Sequence, residues 1–210
     1  MAAWVIISGS PYANGKCCTA ARALAAKLRI SPSEHGEDSA VKLFSCASLS
    51  VHGCIGCDRC KDSFTCIYRD DQPELMTALD TADAALIISP IYFAGVPSQF
   101  KAVLDRFQPY FWKRQKELAE DRERPAKRPL YVALVGEGGD PYGSKPALAQ
   151  IASPLALANF AVHSSHAFIR ANLEDILSGI QDLIFAPEAI ETRRPLDPTT
   201  PYNNAGASRP

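Results

Sequence analysis

Apolar residues arrive along this chain in two alternating rhythms. Short unbroken apolar runs predict buried strands, and stretches with apolar residues every three or four positions predict amphipathic helices. The first run, Trp4–Ser8, is stopped by Gly9-Ser10-Pro11. From Lys16 to Leu28 the spacing is helical, with Ala20, Leu24 and Leu28 on one face. Val41–Ser45 predicts a second strand, and a cysteine-rich loop fills 51–69. Asp70 or Asp71 is placed to cap a helix running through Leu75 and Leu79. Ala84–Ser89 is a continuous apolar run, the pattern of a strand buried on both faces.

Helical spacing resumes over Ser98 to Phe107, with Phe100, Val103, Leu104 and Phe107 inward. Trp112–Arg124 is densely charged, with i,i+4 pairs such as Lys113–Glu117, Lys116–Glu120 and Glu120–Arg124, and reads as a solvated helix. Leu130–Val135 predicts a fourth strand, ending in Gly136-Glu137-Gly138-Gly139. A helix over 145–158, a strand at Phe160–Phe168 and a last helix at Leu173–Phe185 complete the series. Residues 1–185 are expected to form one α/β domain. The tail, 186–210, holds five of the sixteen prolines and is expected to be disordered or to lie along the surface.

Five alternations of this kind imply a parallel sheet covered by helices on both faces. Ligands of such sheets bind beyond the carboxyl ends of the strands, at the switch point of strand order. The loops after strands one, three and four, rich in Gly, Ser or Pro, would share that edge.

Charge removes some classes of function. Twenty-two basic residues against twenty-three acidic ones leave a net charge of −1, which gives no electrostatic case for nucleic acid or an anionic membrane as partner. The apolar run at Ala2–Ile7 is too short to span a bilayer, and no later run approaches the required length. A cytoplasmic location is expected. Seven cysteines in a reducing compartment do not suggest a disulfide framework, and an odd number cannot all pair.

The first loop, Ser8 to Thr19, joins a strand to a helix, so amides near residues 15–18 should face whatever the loop holds, Cys17 and Cys18 among them. Ser10, Tyr12, Asn14 and Thr19 offer side chains there, and Lys16 a charge. A phosphate suits this chemistry. A nucleotide-hydrolase loop does not, because five residues separate Gly9 from Gly15 and Cys17 replaces the magnesium-binding hydroxyl. The dinucleotide fingerprint is absent. A structural Gly/Pro turn and a flavin phosphate cradle remain.

Cys54, Cys57, Cys60 and Cys66 stand in a C-x2-C-x2-C-x5-C array. Four thiolates in one short loop can each ligate a corner iron of a [4Fe–4S] cube. Zinc would need all four sulfurs within roughly 4 Å of one another, which two separated knuckles usually provide. Reduced thiols without metal are the third reading. His52 beside the array reads as a solvated loop residue. His163 and His166, on an expected edge strand, make no metal site by spacing alone, and Asp70-Asp71 reads as helix capping.

Gly9-Ser10-Pro11, Asn14-Gly15, the segment Ser89-Pro90-Ile91-Tyr92-Phe93-Ala94-Gly95-Val96-Pro97, Lys101 and Asp105-Arg106 together resemble the NADPH-dependent FMN reductase family, in its iron–sulfur flavoprotein branch. The resemblance covers about residues 4–170. It implies a flavodoxin-like, doubly wound five-stranded parallel sheet of order 2-1-3-4-5, with the cysteine loop after strand 2. It further implies that Ser89 to Gly95 wraps the isoalloxazine of FMN through Pro90, Ile91 and Gly95, with Tyr92 or Phe93 beside the ring. Gly136, Gly138 and Gly139 would approach the ring closely. Two positions depart from the family: Tyr12 stands where Arg is frequent, and Cys17 where a hydroxyl is usual. Lys16 is the candidate to compensate.

Three functions follow as expectations. The first is electron exchange between FMN and a [4Fe–4S] cluster, fed by a small-molecule or ferredoxin-like donor, in a homodimer or homotetramer. The second is an NAD(P)H-dependent FMN or quinone reductase without a cluster. The third is a redox or metal sensor built on the cysteine loop.

Overall fold

The computed structural model describes residues 3–30 and 40–186. The elements run β1 (Trp4–Ser8), α1 (Lys16–Ile30), β2 (Val41–Ser45), α2 (Cys60–Ser63), α3 (Gln72–Thr81), β3 (Ala84–Pro90), α4 (Ser98–Asp105), α5 (Gln108–Ala119), β4 (Arg128–Gly136), α6 (Lys145–Leu157), β5 (Phe160–Ile169) and α7 (Leu173–Phe185). The five strands pair in parallel in the order β2-β1-β3-β4-β5, the flavodoxin-like arrangement the sequence implied.

Alternate side chains of the central strands leave the sheet on opposite faces, and each face meets its own helices. Val5, Ile7, Ala85, Ile87, Leu130 and Val132 pack with residues of α3, α4 and α6. Ile6, Leu86, Ile88 and Ala133 pack with α1 and α7. β3 buries its residues from Ala84 to Ser89, which is why its sequence is an unbroken apolar run. The register Ser8↔Ser45 brings the carboxyl ends of β1 and β2 level, and Ser8↔Ile88 lets β3 run two residues further, to Pro90.

Several expected boundaries move for identifiable reasons. The helix expected over Ser98 to Phe107 ends at Asp105, and α5 starts at Gln108 with Pro109 in its first turn, where a missing amide costs nothing. The charged helix expected over Trp112–Arg124 therefore begins earlier and stops at Ala119. It is also less solvated than expected, since it buries Tyr110 and Arg114. Glu120 pairs with Arg122 at 2.8 Å instead of with Arg124. The cysteine loop contains a helical turn, α2, that its sequence did not signal.

Helix capping by the Asp70-Asp71 pair is corrected in part. Asp71 sits at the N-cap of α3 without a side-chain capping bond, and its carboxylate accepts from the Ser50 amide at 2.7 Å. Asp70 accepts from the Gln72 amide at 3.2 Å, but its main partner is the buried Arg106. A carboxylate facing a buried guanidinium is drawn to it more strongly than to helix amides.

β5 lies at the sheet edge with His163 and His166 on it, each ring edge-on to an aromatic, Tyr131 and Phe168 respectively. Among the described residues no helix is long and apolar enough to cross a membrane. The tail expected to be disordered, from 187 onward, lies outside the described residues.

Candidate functional site

Parallel pairing places the loops after β1, β2, β3 and β4 on one rim. Gly9 opens the first loop, its amide donating to the Ile88 carbonyl at 2.9 Å. A Cβ there would stand 2.5 Å from Phe100 Cδ1 and 2.7 Å from Ser89 Oγ, so the strand end accepts only glycine without a shift. The buried Ser10 hydroxyl accepts from the Tyr12 amide at 3.1 Å. Arg22 braces the loop from α1, Nη1 donating to the Ala13 carbonyl at 2.8 Å. Tyr12, Asn14 and Lys16 are exposed, and Lys16 Nζ donates to the Ala171 carbonyl at 2.8 Å, between α1 and the β5–α7 turn. Cys17 and Cys18 are buried; Cys18 Sγ lies 3.0 Å from Ser8 Oγ. Burial pushes the Cys17 thiol up to about 12, with Cys18 adding to the shift. Both side chains are committed to the interior, and what these residues offer the loop is backbone amide at the start of α1.

The second loop is tighter. Tyr92 and Gly95 exchange backbone hydrogen bonds of 2.8 and 2.9 Å, and between them Phe93 and Ala94 take left-handed conformations at φ of 50° and 59°. Phe93 is 98% exposed at its tip, whereas Ala94 is buried. The Gln150 carboxamide accepts from the Val96 amide at 3.2 Å and fixes the exit of the turn. In the third loop Gly138 and Gly139 have φ of 77° and 84°, accessible only at a cost to other residues. Ile91, Phe93, Gly136, Gly138 and Gly139 come together in the wall of one cavity of about 310 Å³. Glu137, Asp140 and Ile169 also line it and were not singled out in the sequence. Pro90, Tyr92, Gly95 and the residues of the first loop lie outside that wall.

A second cavity, of about 250 Å³, is lined by Cys54, Cys57, Cys60 and Cys66 together. All seven cysteines are free thiols. Among the described residues no three His, Cys, Asp or Glu side chains are grouped as a ready single-ion site. Burial raises the Cys60 thiol, and Cys66, Cys54 and Cys57 nearby raise it further against a backbone hydrogen bond that lowers it.

Beneath this loop lies an ion pair that sequence reasoning missed. Arg106 and Asp70 have side chains only 1% and 3% exposed, with Arg106 Nη1 2.9 Å from Asp70 Oδ2. His52, expected to be solvated, keeps an exposed ring, yet its Nδ1 is 3.2 Å from Asp70 and its ring stacks on Tyr68 at 4.7 Å. Burial alone would raise the Asp70 carboxyl. Hydrogen bonds from Arg106, from the His52 amide and ring, and from the Gln72 amide outweigh it and hold the carboxyl well below the usual carboxylate range. A signal was present: Arg106 lies three residues after Val103, on the stripe that otherwise turns inward.

The profile of the NADPH-dependent FMN reductase family matches residues 3–174. The chain belongs to that family. It is 33% identical to an iron–sulfur flavoprotein of Methanocaldococcus jannaschii over 103 residues, which is 49% of this chain and 50% of that protein. An iron–sulfur flavoprotein of Methanosarcina thermophila is 29% identical over 100 residues, 48% of this chain and 49% of the relative. The matches thus span about half the length of these curated relatives. Among solved structures, an NADH:FMN oxidoreductase in its apo form shares the fold with a TM-score of 0.58 and 20% identity, over 88% of this chain and 87% of that one. A flavoenzyme NAD(P)H:(acceptor) oxidoreductase from Paracoccus denitrificans does so with a TM-score of 0.53 and 15% identity, over 90% and 99%.

Proposed function

We propose that this protein is an FMN-dependent oxidoreductase in which Cys54, Cys57, Cys60 and Cys66 hold a [4Fe–4S] cluster that exchanges electrons with the flavin. The observation that carries the reading is the pair of cavities on one rim, one walled by glycine backbone, the other lined by four free thiols. The residues suit both groups. Left-handed Gly138 and Gly139 leave room for a flat ring system, and a Cβ at Gly136 would already press on Ile91 at 3.2 Å. Four thiols in one cavity wall suit a cluster of four irons, one thiolate to each iron.

When bound, the two groups would supply the coupling of one-electron to two-electron chemistry. The chain's own residues bind and orient. Amides of Lys16, Cys17 and Cys18, with the Ser10 and Asn14 side chains, would receive the FMN phosphate at the start of α1. Pro90, Ile91 and Gly95 would present backbone to the polar edge of the ring, and Tyr92 and Phe93 would cover it. No protein acid or base is required. A small-molecule or ferredoxin-like donor and a homo-oligomeric assembly belong to this proposal.

A second reading keeps the flavin and leaves the loop without metal, as an NAD(P)H-dependent reductase. It is favoured by the raised Cys60 thiol, because a metal ligand must first give up its proton and burial makes that harder. Anaerobic purification followed by iron and acid-labile sulfide analysis separates the two. Near-stoichiometric iron and sulfide, four of each per chain, support the first. Flavin without iron, bleached rapidly by NAD(P)H, supports the second.

A further inference from the structure

Both stems of the cysteine loop return to one buried guanidinium. Arg106 Nη1 donates to the His52 carbonyl at 2.9 Å and to Asp70 Oδ2 at 2.9 Å, and Nη2 donates to Asp70 Oδ1 at 3.2 Å. The Tyr68 ring lies over its Cζ at 5.0 Å. His52 precedes the first cysteine of the array, and Tyr68 and Asp70 follow the last, so Arg106 closes both stems of the loop. The Asp70 carboxylate tightens the closure by accepting from the His52 amide at 3.0 Å. Arg106 also lines the cavity that the four cysteines line, and it flanks the adjoining one with Cys66. Among the described residues its buried Nε has no hydrogen-bond partner.

Plain structural stapling explains the bonds to His52 and Asp70. It does not explain why a charge is buried against the thiols, since an apolar contact or a neutral donor would staple as well at lower desolvation cost. A fixed cation at a metal–thiolate site favours the state with more negative charge, as second-shell groups generally tune such sites.

We propose that Arg106 is a positioning residue for the cysteine site, one that locks the two stems of the loop and holds electropositive potential against Cys66, raising the reduction potential of the metal group bound there. The inference rests on the functional reading above. Asp70 is its counterweight: it keeps Arg106 in place and cancels part of its field.

The two partners therefore predict opposite signs. In protein reconstituted anaerobically with ferrous iron and sulfide, Arg106→Gln should shift the cluster midpoint to more negative potential. Asp70→Asn, which leaves the guanidinium uncancelled, should shift it to more positive potential. Arg106→Lys, with the charge kept, should lie near the parent, and the double variant Asp70→Asn/Arg106→Gln between the parent and Arg106→Gln. Shifts of the same sign for the two single variants, or none, would overturn the tuning role and leave a staple.

A second measurement needs no metal. In metal-free protein at neutral pH, amide hydrogen exchange followed by mass spectrometry should show peptides of the loop 51–69 exchanging several-fold faster in Arg106→Gln than in the parent, with those of β3 unchanged. Equal exchange of the loop in the two proteins would contradict the proposal. If the parent takes up no iron, the cluster reading fails, and this exchange still decides whether Arg106 locks the stems of the loop. Circular dichroism of each variant confirms that the comparison is between folded proteins.

Discussion

Tyr92 and Gly95 hold each other by reciprocal backbone hydrogen bonds of 2.8 and 2.9 Å, which forces both residues between them into left-handed conformations. Neither is glycine, although a turn of this shape favours glycine or asparagine at both places. Backbone strain kept at the rim of a ligand cavity is typical of a functional loop.

Phe93 tests that idea because its side chain has almost no packing to lose. Phe93→Gly should leave the melting temperature unchanged or raise it, through relief of about 1 kcal/mol of backbone strain. The same change should weaken FMN several-fold, measured by quenching of flavin fluorescence. Unaltered FMN affinity would remove Phe93 from the flavin site.

Gly9→Ala is expected to be costly. The added methyl would meet the Phe100 ring and the Ser89 hydroxyl in a packed strand end, so a loss on the order of 1–3 kcal/mol is predicted from urea unfolding. Gly53→Ala, where a Cβ meets nothing within 4 Å, is the matched control and should change stability by less than about 0.5 kcal/mol.

Lys16→Ala should weaken FMN more than it weakens riboflavin if the ammonium group leaves the Ala171 carbonyl for the phosphate. Parallel titrations of the two flavins decide the point. Equal losses would confine Lys16 to bridging α1 and the β5–α7 turn.

The seven thiols should divide into two classes. In metal-free folded protein at pH 8, an aromatic disulfide reagent should react quickly with the four loop cysteines and slowly with buried Cys17, Cys18 and Cys46. Burial, with Cys18 adding to it, pushes Cys17 and Cys46 up to about 12. Unfolded thiols titrate near ~8.5, so the folded state holds these protons more tightly. The stability they confer is intact below about pH 8.5 and is lost as pH rises toward 12, which urea midpoints across that interval would show.

At the acid end Asp70 sets the sign. Its folded carboxyl is depressed, so its contribution is present above the ordinary carboxylate range, near ~4, and disappears as pH falls through the lower folded value. Asp70→Asn should therefore lower the urea midpoint at pH 7 by more than it does at pH 3. An equal loss at both would mean that the charge of Asp70 contributes no stability.

Element types were legible because each depends on local pattern: β3 reads as an unbroken apolar run since both its faces are covered, whereas the strand order came only with the family resemblance. The cysteine array and the Gly/Pro-marked loops were legible as candidate chemistry for the same reason. What escaped depends on contacts distant in sequence. Asp70 looked like a cap until Arg106, 36 residues away, claimed it. Pro109 moved the start of α5, and Arg114 turned inward from a stretch whose charge pattern implied solvation. Ile169 joins the cavity wall only because β5 lies beside β4 and pairs it with Gly136.

The most direct test of the account is the absorption spectrum of anaerobically purified protein, expressed with ample iron and riboflavin, before and after dithionite, with iron, sulfide and FMN counted per chain. The account predicts flavin bands over a broad iron–sulfur shoulder, both bleached by dithionite, with FMN and cluster near one per chain. Colourless protein that stays colourless after incubation with FMN would contradict it.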